Sequence, residues 1–218
     1  MRSRFDRQLE QLHHEMIEMG ALCEEVIALA FSALTEENPQ LAASVAPRDR
    51  AIDRKERDIE ALCLRLLLQQ QPVARDLRQI SAALKMITDM ERIGDQAEDI
   101  AEIVGFLDGQ SLGMQPLLKS MAEAVIHMVS GSVDAYVRGD VPLAESVIAQ
   151  DDGVDNAFLS VKEQLIHRIA RDPGQGEAAL DLLMIAKYLE RIGDHATNLA
   201  EWVIFAVTGV HKSEEDAE

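Results

Sequence analysis

The sequence predicts an all-α fold built as two tandem, pseudo-symmetric, antiparallel three-helix bundles, and three observations carry that prediction. Apolar residues recur at three- and four-residue spacing through long stretches, with aromatics at only 4% and no sustained alternation. Five of the six prolines stand where helices begin. A motif centred on Glu91 returns 99 residues later around Glu190.

The elements follow from this punctuation. A first helix over 5–37 ends ahead of Asn38-Pro39, and a second, over 39–70, starts there and stops before Gln71-Pro72. Pro47 lies inside the second segment and should kink that helix or shift its start. A third helix covers 73–107. After the linker Asp108-Gly109-Gln110-Ser111-Leu112-Gly113 come helices over 115–138, 141–171 and 176–208, opened by Pro116, Pro142 and the Asp172-Pro173 junction. Segments of about 30 residues would be ~45 Å long, a length that suits bundles. The first repeat is expected over 1–109, the second over 110–212, and a charged, disordered tail over 213–218.

Charge excludes some functions. Lys plus Arg is 21 against 39 Asp plus Glu, a net charge of −18 that phosphate backbones and anionic headgroups repel, so neither nucleic acid nor direct membrane insertion is expected. The hydrophobic fraction of 47% requires a folded core beneath that negative surface. Cys23 and Cys63 sit in apolar runs and are expected as buried, reduced thiols. With no signal-like apolar core near residue 1 and no run of about 18 uncharged apolar residues, a cytoplasmic protein is expected.

The acids are organised. On a helical wheel Glu91, Asp95, Glu98, Asp99 and Glu102 fall within about 100° of arc, opposite Met90, Ile93, Ala97, Ile100 and Val104, so this acidic stripe should face away from the core. Upstream, Asp49 and Asp53 correspond to Asp151 and Asp155. Asp49 and Asp95 are equidistant from Pro72, as are Asp53 and Glu91; Asp151 with Asp194, and Asp155 with Glu190, are equidistant from the Asp172-Pro173 junction. Each helical hairpin therefore brings four carboxylates to one level if the stripes rotate toward each other. Such a set suits a hard or borderline cation such as magnesium, calcium, manganese or iron; zinc is less favoured without thiols. A solvated acidic face is the bland alternative.

Other groups offer less. Glu10-x2-His13 has the spacing of one half of a di-iron motif and lacks the second half. His13 and His14 read as surface residues, and His195 borders the second acidic set. No nucleophilic triad, glycine-rich phosphate loop or Cys-His pair is present, so an enzyme is not expected. Arg92 and Arg191 read as intrahelical partners of the acids. Gly94 and Gly193 each cost about 1 kcal/mol inside a helix, which points to close approach by a neighbouring helix.

At Glu91-Arg92-Ile93-Gly94-Asp95 and Glu190-Arg191-Ile192-Gly193-Asp194-His195-Ala196-Thr197-Asn198 the sequence resembles the PhoU family, as do the Asp-x3-Asp pairs and Arg75-Asp76-Leu77-Arg78. The resemblance implies a non-enzymatic negative regulator of phosphate uptake and of the phosphate-starvation response. It would act as an adaptor between the ATPase subunit of the high-affinity phosphate ABC transporter and a phosphate-sensing histidine kinase. Its place would be the cytoplasm, peripheral at the inner membrane face through those partners. It further implies a homodimer and bound metal, iron or zinc in some members and manganese or magnesium by the chemistry of the set. The ligands would be Glu91 with Asp95 and Glu190 with Asp194, joined by Asp49 with Asp53 and Asp151 with Asp155. Glu98 and Asp99 in the first repeat stand where the second has Thr197 and Asn198, so the first set is expected to be the more acidic. Pro47 would displace the upstream ligands of that set. The alternatives to this reading are a carboxylate-bridged metalloenzyme and a plain helical scaffold without metal.

Overall fold

The computed structural model describes residues 2–70, 72, 74–107, 110 and 112–210. Its order is α1 (Arg2–Thr35), α2 (Pro39–Ala43), α3 (Val45–Gln70), α4 (Ala74–Val104), α5 (Gln115–Arg138), α6 (Val141–Ile148), α7 (Asp151–Arg171), a 3₁₀ turn (Pro173–Gln175) and α8 (Gly176–Thr208). No strand occurs among the described residues. The expected tail 213–218 lies outside them, as do Asp108, Gly109 and Ser111 of the linker.

Three of the proline starts are held by a side-chain cap. Asn38 caps α2 by accepting from the Gln40 and Leu41 amides at 3.0 and 3.3 Å, with Pro39 spending no donor at the first helical position. Asp140 does the same for α6 through Leu143 N at 3.1 Å, and Asp172 caps the turn through Gly174 N at 3.1 Å. α5 and α8 end on Gly139 (φ 64°) and Gly209 (φ 84°), left-handed positions that glycine adopts without strain.

The segments expected over 39–70 and 141–171 are each broken in two. At Ser44 the chain tightens: its amide and its hydroxyl both bond to the Leu41 carbonyl, at 3.0 and 2.6 Å, and α3 starts afresh at Val45. Pro47 then falls in the first turn of α3, where its missing N–H costs nothing. The second repeat breaks in the same region, between α6 and α7, although Ala149 stands in Pro47's place. The break therefore belongs to the fold, and Pro47 only accommodates it.

α1, α3 and α4 form one three-helix bundle, and α5, α7 and α8, with α6 laid against α5 and α8, form the other. The two share one core, because α4 and α8 lie along each other over most of their length and α1 packs on α5. Met86, Met90, Ile93 and Ala97 from α4, and Leu182, Leu189, Ile192 and Ala196 from α8, are buried in it. Each large side chain among them contributes about 1.5–3 kcal/mol through removal from water. α4 and α8 run antiparallel: Arg78 reaches the Ala206 and Val207 carbonyls at 3.4 Å, while Asp89 bonds to His195 and Asn198. The repeat offset maps Asp89 with Asn198 onto Tyr188 with Asp99, which also lie within electrostatic reach of each other, so a pseudo-two-fold axis runs through this helix pair. Among the described residues no helix is long and apolar enough to cross a membrane.

Candidate functional site

Both hairpins place their acids together. In the first, Asp49 on α3 lies within electrostatic reach of Asp53, Asp95 and Glu98, and Glu91 within reach of Asp95 and Asp53. In the second, Asp151 on α7 is felt by Asp194, Asp155 and Glu190. All eight predicted residues thus fall into two sets of four, each centred on its turn. The stripe on α4 leaves the core, but it does not face open water. Glu91 and Asp95 are partly covered by α3, with 23% and 35% of their side-chain surface exposed.

Asp49 is the exception to an acidic surface: it is 5% exposed. Its place is set by Gly94, where a Cβ would come 2.5 Å from Asp49 Oδ1 and 3.0 Å from Ile52 Cδ1. The second repeat uses the same device more loosely, since a Cβ on Gly193 would meet Asp151 Oδ1 at 3.3 Å and Val154 Cγ1 at 3.4 Å. The close approach expected at the two glycines is therefore made by a carboxylate-bearing turn of the neighbouring helix.

Burial and crowding decide the protonation chemistry. The Asp49 carboxyl is pushed up to about 7, by burial first and then by Asp53, Glu98 and Asp95. Asp151 is pushed up to about 6 by burial, Asp194 and Asp155, while the Thr197 hydroxyl pulls it down. Glu98 and Thr197 occupy equivalent places, so the expectation of a more acidic first set has a definite atom behind it. Glu91 and Asp194 are raised as well, by burial and then by Asp95 and Glu190 respectively.

Among the described residues two buried carboxylate oxygens of these sets have no hydrogen-bond or ion-pair partner: Asp49 Oδ1 and Asp151 Oδ1. Leaving such groups unpaired is costly, and two cations answer only part of the charge. Arg92 bonds Asp95 at 2.9 Å and approaches Glu91 at 3.5 Å, as its intrahelical role predicted. Lys187, which sequence reasoning missed, pairs with Glu190 three residues on while lying 5.4 Å from the Phe158 ring centroid. Glu56, also missed, adds its charge to Glu91; its signal was the i, i+3 spacing from Asp53. Among the described residues no three of these side chains stand close enough together to hold a metal ion as they are placed.

The histidines differ from expectation. His13 is half-buried, edge-on to Tyr136 at 5.6 Å, with Nε2 unpartnered and its pKa lowered by burial. His14 is exposed beside Glu18. His195 turns its Nδ1 to Asp89 at 2.9 Å and so ties α8 to α4 rather than completing the second set. Cys23 and Cys63 are free and buried as expected; burial raises both thiols, Cys63 to about 12.

The PhoU domain model matches residues 16–104 and again 118–203, the two three-helix repeats. The chain belongs to the PhoU family. Its relatives include the phosphate-specific transport system accessory protein PhoU homolog of Clostridium acetobutylicum, 35% identical over 94% of both chains. The homolog of the same description from Zymomonas mobilis is 38% identical over 94% of this chain and 87% of that one. The crystal structure of PhoU from Pseudomonas aeruginosa superposes with a TM-score of 0.89 at 34% identity, covering 94% of this chain and all of that one. That of the phosphate transport system regulatory protein PhoU from Streptococcus pneumoniae gives 0.88 at 26% identity, over 95% and 98% of the two chains. The carboxylate sets of this PhoU chain lie inside the matched segments.

Proposed function

We propose that this chain is a metal-binding adaptor of phosphate signalling: a cytoplasmic negative regulator of phosphate uptake and of the phosphate-starvation response. On this reading it works between the ATPase subunit of a phosphate ABC transporter and a phosphate-sensing histidine kinase, without chemistry of its own. The observation that carries the reading is the pair of matched carboxylate sets, each with one buried oxygen lacking a partner, on a PhoU fold. Relatives described as an accessory protein and as a regulatory protein of phosphate transport support the signalling half.

The residues fit a cation in chemical type. All eight donors are carboxylates, which favours magnesium, manganese or iron over zinc, and the orphaned oxygens of Asp49 and Asp151 are those a cation would satisfy. Asp49, Asp53, Glu91 and Asp95 would hold one ion, and Asp151, Asp155, Glu190 and Asp194 another. The bound ion would supply positive charge that clamps α3 to α4, or α7 to α8. Its arrival would release Arg92 and Lys187 from the acids they now neutralise.

The test is a gene deletion complemented in turn by wild type, Asp49→Asn/Asp95→Asn and Asp151→Asn/Asp194→Asn, read by a phosphate-starvation reporter in high phosphate. Deletion is expected to switch the reporter on and wild type to silence it. Elemental analysis of the purified proteins should show metal in wild type and its loss from the altered set. A reporter indifferent to deletion would sink the regulatory reading; wild type that binds no divalent ion by calorimetry would sink the metal.

A further inference from the structure

The solvent side of α3 carries a second charged feature that the carboxylate sets do not use. Arg50, Arg54, Arg57, Leu64, Arg65 and Leu68 fall within about 100° of arc on the helical wheel, and all are exposed, Leu64 at 47% and Leu68 at 82%. No acid stands inside that arc. Asp49, Asp53, Glu56 and Glu60 lie to one side and Asp58 at the other edge. The remaining cations of the helix are committed elsewhere, Arg48 to Glu25 and Lys55 to Glu15 and Glu18 on α1. Among the described residues none of the four stripe arginines has a carboxylate oxygen within 4 Å, although Arg57 is near enough to the adjacent Glu56 to act on it electrostatically.

The second repeat shows what the fold itself requires here. At the equivalent positions α7 has Asp152, Asn156, Leu159 and His167 in place of the four arginines. The same helix thus packs, and carries the same Asp-x3-Asp pair, without them. Like charges at i, i+3 and i, i+4 also oppose helix formation by a few tenths of a kcal/mol each. In a chain of net charge −18, an unpaired arginine row is a local reversal of sign.

We infer that this stripe docks an acidic α-helix of a partner protein, a step that rests on the adaptor reading and names one surface through which it would act. Four guanidinium groups in a row over ~22 Å match carboxylates spaced at i, i+4, i+7 and i+15, and each can bind its carboxylate by two parallel hydrogen bonds. Leu64 and Leu68 add an exposed apolar end, and arginine with a small apolar patch is the make-up of a protein interface. A second copy does not fit, because a two-fold contact of α3 on α3 would set Arg50 against Arg65. A bilayer surface fits poorly: the apolar residues occupy only one end of the stripe, whereas a helix lying in a membrane buries an apolar face along its length.

Photo-crosslinking in cells tests this with the full chain, using p-benzoylphenylalanine in place of Ala61, which sits within the stripe, and of Glu163, its counterpart on α7. Position 61 is expected to give an adduct that maps by mass spectrometry to an acidic helical segment of another protein. The yield should be at least tenfold lower from position 163, and at least tenfold lower in the Arg54→Glu/Arg65→Glu background. A synthetic peptide of the mapped segment should bind the purified wild type and not that variant. Arg54 and Arg65 point away from the carboxylate set, so unchanged circular dichroism and divalent-ion titration show that the variant is folded with its site intact. An adduct mapping to a second copy, binding to phosphatidylglycerol vesicles that is lost with the arginines, an adduct indifferent to charge reversal, or no adduct would each overturn the inference. If gene deletion activates the reporter while Arg54→Glu/Arg65→Glu silences it like wild type, the stripe is refuted and the adaptor reading stands; a reporter indifferent to deletion refutes the adaptor reading itself.

Discussion

Replacing Asp49 by Asn should stabilise the cation-free protein at alkaline pH and do little in acid. A free aspartate titrates near 3.8, whereas in the fold this carboxyl is pushed up to about 7 by burial and by Asp53, Glu98 and Asp95. Because the folded value lies above the unfolded one, both states carry the proton below pH ~3.8 and the group is neutral to stability there. Between about 4 and 7 the unfolded chain releases a proton that the folded chain keeps, so stability falls as pH rises, and above ~7 the full penalty is present. At 1.36 kcal/mol per pH unit, that penalty approaches about 4 kcal/mol at pH 8 and about 1 kcal/mol at pH 4.5. Asn has the same shape and no charge, so Asp49→Asn should gain about 2–4 kcal/mol at pH 8, on the order of 10 °C in melting temperature, and at most about 1 kcal/mol at pH 4.5. Urea denaturation with a chelator present, at both values, measures it. Saturating manganese should reverse the order, since wild type then has a counter-charge that the variant cannot use. A variant no more stable than wild type at pH 8, or a gain independent of pH, would refute the placement of this carboxylate.

Three further outcomes are expected. Gly94→Ala should cost about 1–2 kcal/mol, since overpacking against Asp49 Oδ1 and Ile52 outweighs a helix-propensity gain of about 1 kcal/mol, whereas Gly193→Ala, with nothing nearer than 3.3 Å, should stay within about 0.5 kcal/mol of wild type; thermal denaturation of the two side by side decides it. Arg92→Gln should tighten divalent-ion binding at the first set by about two- to fivefold in calorimetry, because an exposed ion pair worth up to about 1 kcal/mol no longer competes for Asp95. Tyr136→Phe should lose about 0.5–1.5 kcal/mol in urea denaturation, as its hydroxyl donates to the Gln79 carbonyl at 3.0 Å where the two repeats meet.

What could be read from the sequence was whatever has a period or a pivot. Helix spacing and proline starts located 115–138 and 176–208 to the residue, and the equal distances of Asp49 and Asp95 from Pro72 put them on one level. Rotation about the helix axes has no such signature. The wheel alone gave a stripe turned from the core, and only packing shows that Asp49 is buried beneath Gly94 while Asp53 is half-covered. Contacts between the repeats were likewise illegible: His195 reads only as a helix residue bordering the second acidic set until α4 is laid along α8 and Asp89 arrives from 106 residues away. His13 was misread for the same reason, because Tyr136, which covers it, belongs to the other bundle. The breaks before α3 and α7 left only Pro47 as a trace, and the second repeat shows that the proline is not their cause.

The repeat also separates what the fold needs from what each half has been given. Positions where both halves agree, Gly94 with Gly193 and Asp49 with Asp151, tie a carboxylate to the closest approach of two helices, so the acid cannot move without moving the hairpin. Positions where they differ set the charge around that shared geometry. Glu98 adds a negative charge beside Asp49 where Thr197 offers Asp151 a hydroxyl, and the two carboxyls separate to about 7 and about 6 accordingly. One backbone arrangement used twice therefore holds two carboxylate sets with different charge surroundings. Because α4 and α8 touch along their length, any rotation of one hairpin is pressed against the other through Asp89, His195 and Asn198. The two unequal sets are thus joined at one helix pair.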